Sequence, residues 1–320
     1  NEGDRLRLCL TSLLHDPGRV VYVDSGSTDD SVLIAREQEI AVLQLDHSEP
    51  HTAARARNAG FEYLTRKHPE IHYIQFVDGD CQLAARWLEK AWRFLESHDD
   101  YAAVSGRLRE RFRDQSKYNL MCDIEWDTPV GDARHFGGNF LIRVKSFQGV
   151  NGFDRAIIAA EDSELSVRLR AAGWRLYRLP EEMGWHDADM YRFSQWWRRN
   201  VRTGHAYAEG VALHGRPPER HFVRETARIW IWAGLIPLVA IAAAWPTGGW
   251  SLVLLASPWL QWVKIVRHSR TNVPRWQERA TLASFLVLSK YPQLVGQLIY
   301  VWRRLTKRPA QLIEHKGRRS

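Results

Sequence analysis

The sequence predicts an α/β domain over residues 1–190 followed by a membrane-associated helical segment, and three observations carry that reading. Short β-branched runs alternate with polar turns and helical stretches in the first part. Charge divides sharply: residues 1–190 hold 24 Lys and Arg against 32 Asp and Glu, a balance of −8, whereas residues 191–320 hold 21 against 5, a balance of +16. Two uncharged apolar runs, residues 229–245 and 250–263, sit inside the basic part.

The elements follow in order. Residues 6–14 read as a helix. Residues 20–23 (VVYV) form a strand, and the turn Asp24-Ser25-Gly26-Ser27-Thr28-Asp29-Asp30 opens a helix that runs to about Glu39. Residues 40–45 give a strand, 52–67 a helix, and 73–77 a strand that stops at Asp78-Gly79-Asp80. A helix over 85–97 and strands over 102–105 and 175–179 complete the set. Such alternation implies a mostly parallel sheet flanked by helices, with ligands at the carboxyl ends of its strands, where both acidic turns fall.

At 320 residues with 45% hydrophobic and 26% charged composition, the chain is neither disordered nor a fully embedded transporter. Cys9, Cys81 and Cys122 have no C-x-x-C spacing, which excludes a disulfide scaffold or zinc cluster and fits the cytoplasm. The basic second part suits either nucleic acid or an anionic membrane. Its charges flank apolar runs instead of interleaving with exposed aromatics, so no nucleic-acid partner is expected. Arg216, Arg220, Arg224 and Arg228 precede the two runs, Lys264, Arg267 and Arg270 follow them, and the connection at 246–249 carries no charge. The expectation is a transmembrane hairpin over 229–266 with both ends in the cytoplasm, in a multi-pass inner-membrane protein. A buried soluble hairpin is the alternative. Residues 191–228 read as basic and aromatic interfacial helices, with Trp196 and Trp197 dipping into the bilayer. Residues 267–320 read as an amphipathic or third membrane segment, centred on 280–302 and broken by Lys290 and Pro292, with a basic tail.

Asp78-Gly79-Asp80 is the first pattern with chemistry in it. Two carboxylates around a glycine reach a hard divalent cation, although solvated turn aspartates would read the same. The pattern does not stand alone. VVYVDSGSTDDS (20–31), AARARNAG (53–60), FVDGD (76–80), GGNFLIRVKSFQGVNGFD (137–154) and EDSELSVRLRAAG (161–173) resemble glycosyltransferase family 2 in order and spacing. The resemblance covers residues 1–190 and implies the GT-A fold, with a nucleotide-binding half over 1–105 and an acceptor half over 106–190.

The resemblance also implies roles. Asp24 would accept hydrogen bonds from the base or ribose of a nucleotide-sugar, and Arg57 and Asn58, with Arg55 before them, would lie beside the nucleotide. Asp78 and Asp80 would serve a bridging Mn²⁺ or Mg²⁺, with Asp80 as ligand and Asp78 reaching ribose or metal. Gly137, Gly138 and Asn139 would leave room for the donor sugar. Of Glu161 and Asp162, the second is the implied catalytic base of an inverting enzyme, kept ionised by a helix N-terminus. His186 falls where some relatives place a histidine near the diphosphate. Gln195-x-x-Arg198 partly matches a motif of processive synthases, which makes Arg198 a candidate for a phosphate. Asn1-Glu2 stands at the family's Tyr-Asn-Glu-like turn, giving Glu2 to the substrate, while the strand before it is missing. A vacated place in the sheet, with weakened stability and nucleotide binding, is the expected consequence.

Together these imply a metal-dependent, inverting transfer of a sugar, most simply UDP-linked, to a lipid-linked or glycan acceptor at the membrane. The alternatives are a polyprenyl-phosphate glycosyltransferase and a silent nucleotide-sugar-binding subunit.

Overall fold

The computed structural model describes residues 1–13, 17–46, 48–271 and 273–307. They form two compact units: residues 1–113 with 125–189, and residues 114–124 with those from Met190 onward. The segment 114–124, expected within the first domain, groups with the second.

The first unit is α/β. Its elements are α1 (Asp4–Thr11), β1 (Val21–Asp24), α2 (Ser31–Glu37), β2 (Ala41–Gln44), α3 (Ala53–Lys67), β3 (Tyr73–Phe76), β4 (Cys81–Leu83), α4 (Trp87–Ser97) and β5 (Tyr101–Glu110). After α5 (Lys117–Trp126), which begins in the second unit, come β6 (Gly131–Asp132), β7 (Phe140–Arg143), α6 (Val144–Gly149), α7 (Glu161–Ala171) and β8 (Arg175–His186). Strands β1 and β2 pair in parallel as a separate two-stranded sheet. The other sheet runs β3-β7-β5-β8-β4, with β6 also on β8. Its longest ladder, β5 with β8, is parallel, and the remaining pairs are antiparallel.

Phe61, Phe76, Phe140, Phe147 and Phe153 interlock beneath the loops at one end of this sheet, with neighbouring ring centroids 4.4 to 5.4 Å apart. On the other face Trp87, fully buried, donates its indole N–H to Gln75 Oε1 at 2.9 Å. Gly106 makes this packing possible: a Cβ there would stand 2.5 Å from the Trp87 ring and 2.8 Å from the Glu181 carbonyl. β5 and β8 run well beyond the expected 102–105 and 175–179. Register shifts at Tyr101/Ala103, Ser105/Arg107 and Arg107/Leu108 break the alternation that sequence reading relies on.

Among the described residues β1-β2 and the larger sheet share no strand pairing. β1 pairs only with β2, and β3 only with β7. Between them lies a cavity of about 480 Å³, lined by Val21 and Val23 on one side, Ile74 and Phe76 on the other, and Leu6 and Phe61 from the flanking helices.

The second unit contains α8 (Phe193–His214), α9 (Val223–Ile229), α10 (Ile236–Ala242), α11 (Ser257–His268), α12 (Trp276–Leu288) and α13 (Lys290–Leu305). A π-helical turn, Trp230–Leu235, joins α9 to α10, and a 3-10 stretch, Trp250–Ala256, precedes α11. Helices α8 and α13 cross closely enough that a Cβ on Gly204 would strike the Gln293 carbonyl and one on Gly296 the Val201 carbonyl. Inside the crossing Gln293 donates to Asn200 Oδ1 at 3.2 Å.

Two expectations change here. Trp196 does not dip into a bilayer: it is buried against Phe285, 5.0 Å between centroids, because α8 packs on its own unit along that face. The expected hairpin finds support as a span in one of its two runs. Among the described residues one helix, Val223–Ala242, has the length and mean hydropathy (20 residues, 1.4) to cross a membrane. The second run is divided between a 3-10 stretch, Trp250–Ala256, and the helix Ser257–His268 that continues it. The basic tail beyond 307 lies outside the described residues.

Gly106→Val is expected to lower stability by about 1–3 kcal/mol through overpacking against Trp87, read as a fall in melting temperature of the purified chain. An unchanged melting temperature would contradict this packing.

Candidate active site

The acidic turn after β3 and the start of α7 meet on a single guanidinium. Thr52 caps α3 by accepting from the Arg55 N–H at 3.2 Å, which fixes the helix that carries Arg57. Arg57 donates Nη2 to Asp78 Oδ1 at 2.6 Å and Nη1 to Glu161 Oε1 at 2.5 Å, with its Cζ 5.5 Å above the Phe153 ring. The two carboxylates raise its pKa against the opposing effect of burial. Asn139 completes the hold on Asp78: its Oδ1 accepts from the Asp78 N–H at 2.9 Å and its Nδ2 donates to Oδ2 at 3.1 Å.

The two glycines before Asn139 differ. A Cβ on Gly138 would collide with Arg57 Nη2 and stand 2.9 Å from Asp78 Oδ2, so this glycine makes room for the guanidinium. Gly137 faces open space, with nothing within 4 Å of an added Cβ.

Asp162 stands beside Glu161 in the first turn of α7, partly buried, with Oδ1 accepting from the Ser163 N–H at 2.7 Å. The expectation that the helix N-terminus keeps it readily ionised does not hold. Burial, and then the charge of Glu161, push its carboxyl up to about 7, and Arg57 only partly opposes them.

Asp80, nearly buried, accepts through Oδ2 from His186 Nε2 at 3.0 Å, and the Cys81 thiol donates to its Oδ1 at 3.7 Å. Trp126 stacks on the His186 ring at 4.5 Å. The donor atoms of Asp80, Cys81 and His186 all lie within 4.8 Å of one another, which fits a divalent ion. Asp78, expected to reach ribose or metal, is tied to Arg57 and Asn139. His186 reaches this place because β8 continues to its end, seven residues past the expected stop.

Other expected contacts are engaged within the protein. Asn58 holds the Phe153 backbone from both sides, donating to its carbonyl at 2.8 Å and accepting from its N–H at 2.9 Å. Asp24, 2% exposed, accepts from the N–H groups of Gly26 and Ser27 and from the Tyr22 hydroxyl. Arg55 donates to the carbonyls of Asp46 and Glu49. Glu2 pairs with Arg5 at 2.8 Å, and its N–H donates to Ser31 Oγ. In the second unit Arg198 is exposed on α8, while Gln195 accepts from the N–H groups of Tyr191 and Arg192 and so caps that helix.

Sequence reading missed Cys81 and Glu110. Glu110 ends β5 and binds the N–H groups of Phe112 and Ala188, fixing the backbone that follows His186. The signal for Cys81 was its place directly after Asp80; Glu110 had none.

Residues 1–150 match the family model described as glycosyl transferase family 2, and residues 121–192 match one described as N-terminal domain of galactosyltransferase. Succinoglycan biosynthesis protein ExoA of Rhizobium meliloti (strain 1021) is 28% identical over 188 residues, 54% of either chain, so the chain spans about half the length of this relative. Among solved structures, the mannosyltransferase PcManGT from Pyrobaculum calidifontis, in complex with GDP-Man and Mn²⁺, superposes with a TM-score of 0.61 at 20% identity. The match covers 95% of this chain and 85% of that one, and bears on the fold.

Gly138→Ala is expected to displace Arg57 and lower the melting temperature through an overpacking cost of about 1–3 kcal/mol. Gly137→Ala is expected to leave the melting temperature unchanged, so equal melting losses in both variants would contradict the assigned geometry.

Proposed function

We propose that this chain, which belongs to glycosyl transferase family 2, is an inverting, metal-dependent glycosyltransferase that moves a sugar from a nucleotide donor to a membrane-associated acceptor in polysaccharide or glycan biosynthesis. The observation that carries the reading is the Arg57 bridge, which joins the D-x-D turn to the acidic pair of α7. It puts a donor-side group and a base-side group on one charge.

Asp162 takes the proton from the acceptor hydroxyl as that oxygen attacks the anomeric carbon in a single displacement. Its raised pKa suits this step, because a carboxylate that ionises near neutrality is a stronger base than an ordinary aspartate. Asp80 and His186 would hold the divalent cation, for which the family resemblance implies Mn²⁺ or Mg²⁺. When bound, the ion supplies charge neutralisation for the departing nucleoside diphosphate. Arg57 keeps Asp78 and Glu161 in place beside it. A UDP-sugar is the donor we favour. The fold neighbour with GDP-Man makes GDP-sugars the first competitor. Attachment through the Val223–Ala242 helix, with the first unit in the cytoplasm of a bacterial-type cell, would bring lipid-linked or glycan acceptors within reach.

The test is nucleotide release from a panel of UDP-, GDP- and dTDP-sugars by the purified chain in detergent. Asp80→Ala is expected to abolish metal-dependent turnover, and Asp162→Asn to lower transfer to a hydroxyl acceptor by roughly 10²–10⁴-fold. Transfer that ignores Asp162→Asn would favour a phosphate acceptor, as in polyprenyl-phosphate transfer; silence with every donor would favour a binding subunit.

The pH dependence has a defined sign. Asp162 works as a base only when ionised, so kcat/KM is expected to rise through about pH 7 and level off above it, and the rise should vanish in Asp162→Asn. Since the folded pKa lies above the ordinary 3.8, the stabilisation from the protonated carboxyl is present below that value and lost as pH rises through about 7. Asp162→Asn should therefore melt higher than the unaltered chain at pH 8. A lower melting temperature there would sink the assignment of a buried, reluctantly ionised carboxyl.

A further inference from the structure

We propose that Cys81 is a third ligand of the cation site that Asp80 and His186 form, so that the site is a carboxylate, imidazole and thiolate set selecting a borderline-soft ion such as Zn²⁺ or Co²⁺ over Mg²⁺. The inference rests on the metal-dependent reading above and names the ion class of that site.

The sheet places the thiol. In the antiparallel pairing of β4 with β8, Cys81 stands directly opposite His186, and side chains of directly opposed residues share one face. Asp80 precedes β4 by one residue, so its carboxylate reaches the same spot from the strand's entrance. Gly184 permits the close approach of the two strands, because a Cβ there would collide with the Gln82 carbonyl.

The separations suit shared coordination. His186 Nε2 lies 3.0 Å and Cys81 Sγ 3.7 Å from the two Asp80 oxygens, and the three donor atoms fall within 4.8 Å of one another. Ligands at about 2.0–2.3 Å from a tetrahedral ion stand roughly 3.3–3.8 Å apart, so small rotations close the site. Its walls limit the freedom of two of the donors. Cys81 is 1% exposed, and Trp126 lies flat on the imidazole at 4.5 Å.

The donor chemistry then selects the ion. Mg²⁺ takes oxygen ligands and keeps its waters, whereas imidazole with thiolate favours zinc and its neighbours in the first transition row. On binding, the sulfur–hydrogen bond gives way to a sulfur–metal bond and the proton leaves to water.

The experiment titrates the full chain in detergent micelles with Co²⁺ and records the near-ultraviolet absorption of thiolate-to-cobalt charge transfer, with bound metal measured by equilibrium dialysis. The expected result is a saturating band that disappears in Cys81→Ser, persists in Cys9→Ser and Cys122→Ser, and is displaced by Zn²⁺ but not by a roughly 100-fold excess of Mg²⁺. Cobalt bound without the band in the unaltered chain, or a band that survives Cys81→Ser, overturns the proposal whatever the stability of the variant. If turnover still depends on Mn²⁺ while the thiolate band is absent, Cys81 alone is refuted. If no divalent ion binds at all, this proposal and the metal-dependent reading fail together.

Discussion

The Arg57 guanidinium, held between Asp78 and Glu161 at 2.6 and 2.5 Å, is the interaction on which the arrangement of the site depends. Glu161 is 7% exposed at its side chain, so without this partner a carboxylate would be left desolvated, at a cost of roughly 3–5 kcal/mol for a broken buried pair. A lysine could not replace it, since one ammonium cannot meet two carboxylates in the fixed fork that a guanidinium offers. Much of the surrounding sequence serves that geometry. Thr52 starts the helix, Gly138 clears the approach, Asn139 turns Asp78 toward it, and Asn58 holds the Phe153 backbone while the Phe153 ring lies under the charge.

The same constraint explains the behaviour of Asp162. A carboxylate in the first turn of a helix is normally favoured in its charged form. Here the neighbour Glu161 already holds the nearest cation, so Asp162 meets burial and a like charge with only partial relief. A shared positive charge thus separates two adjacent acids, Glu161 paired with Arg57 and Asp162 with its carboxyl pushed up.

Much of the first unit was legible in the sequence because its short elements obey local rules. The helix from Thr52, the strand that ends before Asp78 and the helix from Glu161 each begin or stop at a capping or turn residue, and the structure places them there. The long strands were not legible past their first few residues: bulges in β5, and Pro180-Glu181-Glu182 in β8, interrupt the alternation that marks a strand. That hidden extension is what carries His186 to Asp80. Motif matching also put Asn58 and Asp24 on the ligand; in the structure Asn58 holds the Phe153 backbone, and Asp24 accepts from the Gly26 and Ser27 N–H groups and the Tyr22 hydroxyl. A sequence motif records that a polar residue is needed at a position, and a buried amide that closes a loop meets that need as fully as one that touches substrate.

The membrane question turns on burial rather than on hydropathy. An apolar helix of 20 residues could equally be the core helix of a soluble protein, but such a helix is enclosed, and only 17% of the apolar window in Val223–Ala242 is buried. Leu238, Ile241, Trp245, Trp250 and Leu260 are each more than three-fifths exposed in the same unit where α8 and α13 pack backbone against backbone. A chain that can pack that closely has not left those side chains outside for want of packing. Exposed apolar side chains in such number mark a contact surface for a membrane or another protein. The indoles at Trp245 and Trp250, 92% and 82% exposed on either side of the Pro246-Thr247-Gly248-Gly249 turn, suit the polar margin of a bilayer better than its hydrocarbon. This favours the membrane attachment proposed above through the apolar helix Val223–Ala242 and the turn that follows it.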